Sequence, residues 1–308
     1  MEKGKSVDRD EVRAHLTGPI SSIATPFLED GDVDYNGLRK QIDFVLEGGS
    51  KTVLLTAGDS HYICLSEAEI AEVTRVTCEH TAGRGMVVAA DRYYDTAHAV
   101  AFAEFAKIAG ADVVMALPPG WGKSSPEMLT DHYGAVSRQL PVMIVTGAFI
   151  QHGAAFGLET VKRSIDKYDR VVAIKDDMCG EFAKKLCLAA HDQVAVFSGG
   201  QKTNHMSMFP YGCDGYMSTF IRFKPEVVHR YWKAIEEEDL DEARTVIRDI
   251  DMPFFDQLMK LPSGWNAGLH GTLELFGMAG RWRRKPYCTI TDAEMEDLKA
   301  FFSGIGLL

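Results

Sequence analysis

Val171-Val172-Ala173-Ile174-Lys175-Asp176-Asp177 is the run on which the fold and its chemistry turn. Four apolar residues, three of them β-branched, predict a strand buried on both faces, as in a parallel sheet. A lysine closing such a strand is costly to bury as a cation. Partial desolvation of a lysine favours its free amine, the form that attacks carbonyls to give Schiff bases. An imine-forming enzyme of the aldolase type is therefore one reading. The other is a strand-end lysine that reaches solvent or pairs with Asp176 or Asp177, since structural ion pairs also surround lysines.

Outward from this run, short apolar stretches recur: Ser21 to Phe27, Thr52 to Ala57, Met86 to Asp91, Asp112 to Leu117, Val142 to Thr146, Val194 to Ser198 and Gly215 to Thr219. With Val171 to Lys175 they make eight candidate strands at roughly βα-unit spacing. Amphipathic segments lie between them. Leu38, Ile42, Val45 and Leu46 form one apolar face, and Ser66-Glu67-Ala68-Glu69 is a capping box opening the helix that carries Ile70, Val73 and Val76. Ala97 to Ala111 is apolar almost all round and predicts a well-buried helix. Gly49, Gly83, Gly110 and Gly212 fall where helices should stop.

Strict alternation implies a parallel sheet, and eight units imply an α/β fold of the (β/α)8 TIM-barrel type. The alternative, an open doubly wound sheet, lacks a G-x-G-x-x-G after any strand. Beyond residue 222 strands give way to helices: one starting at Pro225, then Ala243 to Leu261, Trp265 to Gly280 and Thr291 to Phe302, the last opened by a second capping box. The expected division is an N-terminal extension (1–17), a barrel (18–222) and a C-terminal helical appendage (223–308) packed against it. The barrel places Lys175 at the C-terminal end of its sixth strand, where barrel catalysis occurs. Alternation puts Val171, Ala173 and Lys175 on one face, pointing the amine into the mouth.

Composition narrows the function. The 308 residues are 46% hydrophobic and carry a net charge of -11, which suits a globular protein and argues against nucleic acid as a main partner. The basic run Arg281-Trp282-Arg283-Arg284-Lys285 reads as a loop that caps a helix or pairs with acidic neighbours. Six cysteines occur without a C-x-x-C pair, as expected of packed, reduced thiols in a cytoplasmic protein. No signal peptide or stretch of membrane-spanning length is present in the sequence, so no membrane partner is expected.

Several matches in order make the chain resemble the dihydrodipicolinate synthase and N-acetylneuraminate lyase family of class I aldolases. Ala24-Thr25-Pro26-Phe27 with Gly31-Asp32-Val33-Asp34 matches its opening strand and turn. Leu65-Ser66-Glu67, Gly110-Ala111-Asp112, Leu140-Pro141-Val142, Ile174-Lys175-Asp176, Ser198-Gly199 and Gly212 to Ser218 follow in register. The resemblance implies that Lys175 is the nucleophile toward pyruvate or another 2-oxo acid, through a covalent imine with no separate cofactor and no metal. It also implies a homotetramer or homodimer, and it places Gly199 and Met217 beside the substrate.

Two family motifs are altered. The loop G-T-T-G-E aligns with Ala57-Gly58-Asp59-Ser60-His61, so the hydroxyls that hold the substrate carboxylate become Gly58 and Asp59. Backbone donors and the Ser60 hydroxyl are the expected replacements. An ionised Asp59 would repel a carboxylate by roughly 1–4 kcal/mol unless it points away, is protonated, or meets a different substrate. The proton-relaying tyrosine of Y-N-x-P aligns with Val145, followed by Thr146. A general acid–base group contributes about 10²–10⁴-fold, and valine supplies none. His61 is the expected substitute, with Tyr62, Tyr93, Tyr94 or a water as alternatives. Trp121 stands where many members carry a tyrosine that reaches a neighbouring subunit; it is read as a subunit contact or an aromatic lid.

The altered motifs favour cleavage or dehydration of a 2-oxo acid, such as a 2-keto-3-deoxy sugar acid, over dihydrodipicolinate synthesis. Two other readings stay open: a non-catalytic barrel that binds a small ligand, and a metal-dependent aldolase using Asp59-x-His61 and Asp176-Asp177.

Overall fold

Eight parallel strands close into a barrel in the order β1 to β8. The computed structural model describes residues 8–92, 95–120 and 122–308. The strands are β1 (Gly18–Ser22), β2 (Thr52–Leu54), β3 (Met86–Ala90), β4 (Val113–Ala116), β5 (Val142–Val145), β6 (Val171–Asp176), β7 (Ala195–Ser198) and β8 (Gly215–Met217). Closure comes from β1 pairing with β8, Gly18 against Gly215 through Ile20 against Met217. The closed order excludes the open doubly wound alternative.

A helix precedes the first strand, α1 (Arg9–Leu16), and one precedes each of the next seven: α2 (Tyr35–Glu47), α3 (Glu67–Thr81), α4 (Thr96–Ala109), α5 (Pro126–Ser137), α6 (Ala154–Lys167), α7 (Gly180–Ala190) and α8 (Lys202–Met208). Val12 and Leu16 of α1 join the core, and the Arg9 guanidinium donates to the backbone oxygens of Ile165, Tyr168 and Val171. The capping box at Ser66 and Glu69 is formed as expected. So is the one at Thr291 and Glu294. Gly110 ends α4 at φ +101°, a left-handed turn that a side chain would strain.

Three local expectations are corrected. The first strand lies earlier than the Ser21 to Phe27 run: Phe27 makes only an isolated bridge to Val33. Secondly, α4 is not well buried. Only Ala103 and Ala106 are buried, and Ile108 is 80% exposed. A helix of an outer ring buries the stripe that faces the strands, and alanine elsewhere on it carries no such information. Thirdly, the register of β5 on β6 shifts between Val142 and Met143, so Val171 drops out of the alternation that relates Ala173 to Lys175.

Beyond the barrel come α9 (Pro225–Glu236), α10 (Leu240–Val246), a π-helical turn at Ile247–Asp251, α11 (Met252–Lys260), α12 (Trp265–Leu275) and α13 (Asp292–Gly304). Tyr216 of β8 and Phe220 share one apolar cluster with Val228, Tyr231, Phe254 and Phe302, which seats these helices on the barrel. The basic run is tied down as expected: Arg281 pairs with Asp292 at 2.5 Å and Arg284 with Glu69 at 2.8 Å. All six cysteines are free. Among the described residues no helix is long and apolar enough to cross a membrane.

Candidate active site

Lys175 is the penultimate residue of β6, with 6% of its surface exposed, at the C-terminal mouth of the barrel. Its Nζ donates to both carboxylate oxygens of Asp177, at 2.5 and 2.6 Å. Asp177 is held beyond the strand because the Thr146 hydroxyl accepts its N–H at 2.9 Å and that of Met178 at 3.3 Å. The same hydroxyl donates to Asp176 Oδ1 at 2.7 Å. Asp176 also accepts from the N–H of Cys179 at 2.9 Å, so it anchors the turn into α7. Burial raises the Asp176 carboxyl above its ordinary range, against these lowering hydrogen bonds.

Val145 lies directly opposite Lys175 in the β5–β6 register and is 6% exposed, packed in the core. The position that resemblance assigns to a proton-relaying phenol thus faces the lysine with hydrocarbon alone. Gly199, just after β7, closes in on the other side. A Cβ built there would lie 2.8 Å from Lys175 Nζ and 1.7 Å from Asp177 Oδ1. Only a glycine fits without displacing that pair.

The substituted loop is organised differently from the expectation. Burial pushes the Asp59 carboxyl up, but the Arg222 guanidinium, the Ser22 hydroxyl and Lys175 outweigh this and hold it below the usual range. Arg222 Nη2 donates to Asp59 Oδ2 at 2.8 Å and to the Ser22 hydroxyl at 2.6 Å, and that hydroxyl donates to the same Oδ2 at 2.6 Å. Of the three expected escapes from repulsion, protonation runs against this downward shift, and the Asp59 carboxylate is met by Arg222 at 2.8 Å.

The Ser60 hydroxyl is not free for a ligand. It donates to the Ile23 backbone oxygen at 2.7 Å and accepts from the Thr56 N–H at 3.0 Å. Three loop N–H groups are also engaged within the loop: Asp59 to the Thr56 hydroxyl, Ser60 to the Thr56 oxygen and His61 to the Gly58 oxygen. These donors, the Ser60 hydroxyl and the three N–H groups, are consumed in folding this turn.

His61 is engaged by the C-terminal helices. Its φ of 56° is in the left-handed region, and its ring turns to His270 of α12, with Nε2 to Nε2 at 2.7 Å. Burial, assisted by Arg283, lowers the His61 imidazole to about 4; burial and His61 itself hold His270 well below the usual value. A neutral, committed imidazole does not fill the proton-carrying role expected of it. Tyr62 lies in the core, its phenol pushed far up by burial. Tyr93, Tyr94 and Trp121 lie outside the described residues.

Two cavities border this region. One, of about 350 Å³, is lined by Asp59, Gly199, Met217, Gln201, Asn204 and Thr219, with Phe255, Met259 and Trp265 as its outer wall. The other, of about 440 Å³, takes Gly58, His61, Arg92 and Arg283. The sequence-derived set is therefore split. Asp59, Gly199 and Met217 line one cavity, with the Lys175 amine packed beside Gly199, whereas Gly58 and His61 face the other; Val145, Thr146 and Ser60 are buried supports. The proposed metal donors separate too: Asp59 engages Arg222 and His61 engages His270. Among the described residues, no three His, Cys, Asp or Glu side chains converge.

A family model for the dihydrodipicolinate synthetase family matches residues 15–304. The chain belongs to this family. Its members are aldolase-type lyases. A 4-hydroxy-tetrahydrodipicolinate synthase of Chlorobaculum parvum is 28% identical over 301 residues, covering 95% of this chain and 98% of that one. Among solved structures, the N-acetylneuraminate lyase of Fusobacterium nucleatum superposes with a TM-score of 0.84 at 17% identity, covering 94% and 99%. The dihydrodipicolinate synthase of Oceanobacillus iheyensis gives 0.84 at 20% identity, covering 96% and 99%. These two share the fold.

Ser22, Asp177, Arg222 and His270 complete the site but carried little signal in the sequence. An acid in the mouth demands a nearby cation, and Arg222, just beyond β8, was available to that reasoning. In the sequence Asp177 reads as a structural partner of the lysine or as a metal donor, not as a proton carrier. Ser22 and His270 had no local pattern to mark them.

Proposed function

We propose that this chain is a Schiff-base-forming lyase, an aldolase or dehydratase acting on a 2-oxo acid such as a 2-keto-3-deoxy sugar acid, with Lys175 as the nucleophile. The observation that carries this reading is the lysine itself: an almost buried amine at the mouth of a barrel, with glycine at its side and a cavity beyond. The amine attacks the C2 ketone, water leaves, and the resulting iminium accepts electrons from C3, permitting a bond there to break or form. Gln201 and Asn204 suit hydroxyl groups along the substrate tail, while Trp265 and Phe255 suit its hydrocarbon face.

Dihydrodipicolinate synthesis is the less favoured activity, because Val145 offers no hydroxyl and the loop of Asp59 spends its donors internally. The enzyme is expected to need no cofactor, to work in the cytoplasm, and to assemble as a homotetramer or homodimer. One observation favours the non-catalytic reading: the Lys175 charge is already met by Asp177.

Borohydride trapping separates the two. Protein incubated with pyruvate and a panel of 2-keto-3-deoxy acids, then reduced, should gain the mass of one reduced adduct on Lys175. No adduct with any of them, while a control aldolase is trapped, would leave a ligand-binding barrel.

A further inference from the structure

We infer that Asp177 is the proton carrier of this active site, taking the role for which Val145 has no group. The inference rests on the Schiff-base reading above. Both oxygens of Asp177 lie 2.5–2.6 Å from the reacting nitrogen. Its carboxylate stands between Gly147 and Gly199; a Cβ on the first would lie 3.2 Å from Oδ2 and on the second 1.7 Å from Oδ1. Its own backbone N–H is pinned by Thr146, so the carboxylate is positioned without using its oxygens for support. Among the described residues, the other titratable groups of the mouth are committed elsewhere: Asp176 to the turn into α7, Asp59 to Arg222 and Ser22, His61 to His270; burial pushes the nearby Cys179 thiol up to about 11.

Geometry of this kind lets one carboxylate run the whole of imine formation. Asp177 takes a proton from the ammonium of Lys175, leaving a neutral amine. The nitrogen lone pair forms the N–C2 bond, and the carbonyl π electrons move to oxygen, which receives that proton from Asp177. A second proton passes from the now cationic nitrogen to Asp177 and on to the carbinolamine hydroxyl. The C–O bond breaks, water leaves, and the nitrogen lone pair closes the C=N bond. Ammonium plus ketone thus gives iminium plus water, and Asp177 ends as it began, a carboxylate.

The test follows adduct formation on Lys175 in time. Wild type and Asp177→Asn are mixed with pyruvate and quenched with borohydride at increasing intervals, and intact mass gives the trapped fraction. The expected result is a rate about 10²–10⁴-fold lower in the variant. Formation at the wild-type rate overturns the inference. Asp177→Ala carries the same test through rescue: added formate should restore the rate in proportion to its concentration. A slowed alanine variant that formate does not accelerate marks a merely structural role and also overturns it. Circular dichroism confirms that each variant is folded. Failure of the underlying reading is distinct, since wild type itself would then give no adduct at any time while the control aldolase does.

Discussion

Replacing Arg222 by methionine should destabilise the protein at neutral pH by about 3–5 kcal/mol, the cost of stripping a buried charge of its partner. The guanidinium is 1% exposed and the Asp59 side chain 14%. At their separation of 2.8 Å, an effective dielectric of about 20 gives an attraction of roughly 6 kcal/mol. Desolvating two ions costs a similar amount, so the intact pair contributes little net stability, whereas a lone Asp59 keeps only the penalty. The pH dependence should reverse with it. In wild type the Asp59 carboxyl is held below its unfolded value, so its contribution is present above about pH 4 and lost as pH falls through the folded value. Without Arg222, burial becomes the main influence and raises it, so the variant recovers stability as pH falls toward the unfolded value. Urea unfolding followed by circular dichroism at pH 7 and 4.5, at fixed protein concentration, reads both effects. Adding Asp59→Asn should return most of the loss, because the stranded charge is gone. A single variant within about 1 kcal/mol of wild type at pH 7, or a double variant no better than the single, would refute the reasoning.

Gly199→Ala should lower the rate of adduct formation at least about 10²-fold, because its methyl group would lie 1.7 Å from Asp177 Oδ1 and must move the Lys175–Asp177 pair; trapping at the wild-type rate would show that the pair is not needed as placed. The depressed imidazole of His61 contributes stability that is present above pH 6.5 and lost as pH falls toward about 4. With the ring 5% exposed, that amounts to about 3 kcal/mol over the window, and His61→Asn should flatten the loss in unfolding measured between pH 7 and 4.

How much of this was legible beforehand follows from what each residue does. Strands such as Val142–Val145 and Ala195–Ser198 announce themselves because burial on both faces demands continuous hydrocarbon. The first strand begins earlier than the apolar run shows, because Gly18 and Pro19 pair with β8 and neither residue type marks a strand. Ser21 and Ser22 are fully buried polar residues, and Ser22 is spent on Asp59 and Arg222. Lys175 was legible because it violates its surroundings. Asp59 was legible as an anomaly, but its resolution was not: the cation that answers it comes from the far end of the barrel, 163 positions away in sequence. His61 misled because near-neutral titration is the ordinary property of a histidine in water. Its partner His270 arrives from the helical tail and buries it, and no local pattern carries that.

A comparison within the chain sharpens what is asked of Lys175. Lys202 is also buried and also bound to an aspartate, Asp251, at 2.6 Å. Burial and pairing alone thus do not make a nucleophile, and a pair of this kind adds little to stability by itself. The two differ in what surrounds them. Lys202 and Asp251 are exposed by only 1% and 2%, and the ammonium is packed over the Phe220 ring at 4.5 Å. Asp251 is further fixed by the Lys202 N–H at 3.1 Å, so the pair is sealed and doubly anchored. The side chains of Lys175 and Asp177 are 8% and 30% exposed, and the glycine beside them, Gly199, lines a cavity. The Schiff-base reading requires a carbonyl compound to reach Lys175, and the sealed Lys202 pair leaves no comparable opening. In the trapping experiment, a digest of reduced protein should therefore carry the adduct on the peptide of Lys175 and none on that of Lys202, under conditions where both remain folded. Equal labelling of the two would mean that the mouth confers no selectivity, and the case for a built nucleophile at Lys175 would fall with it.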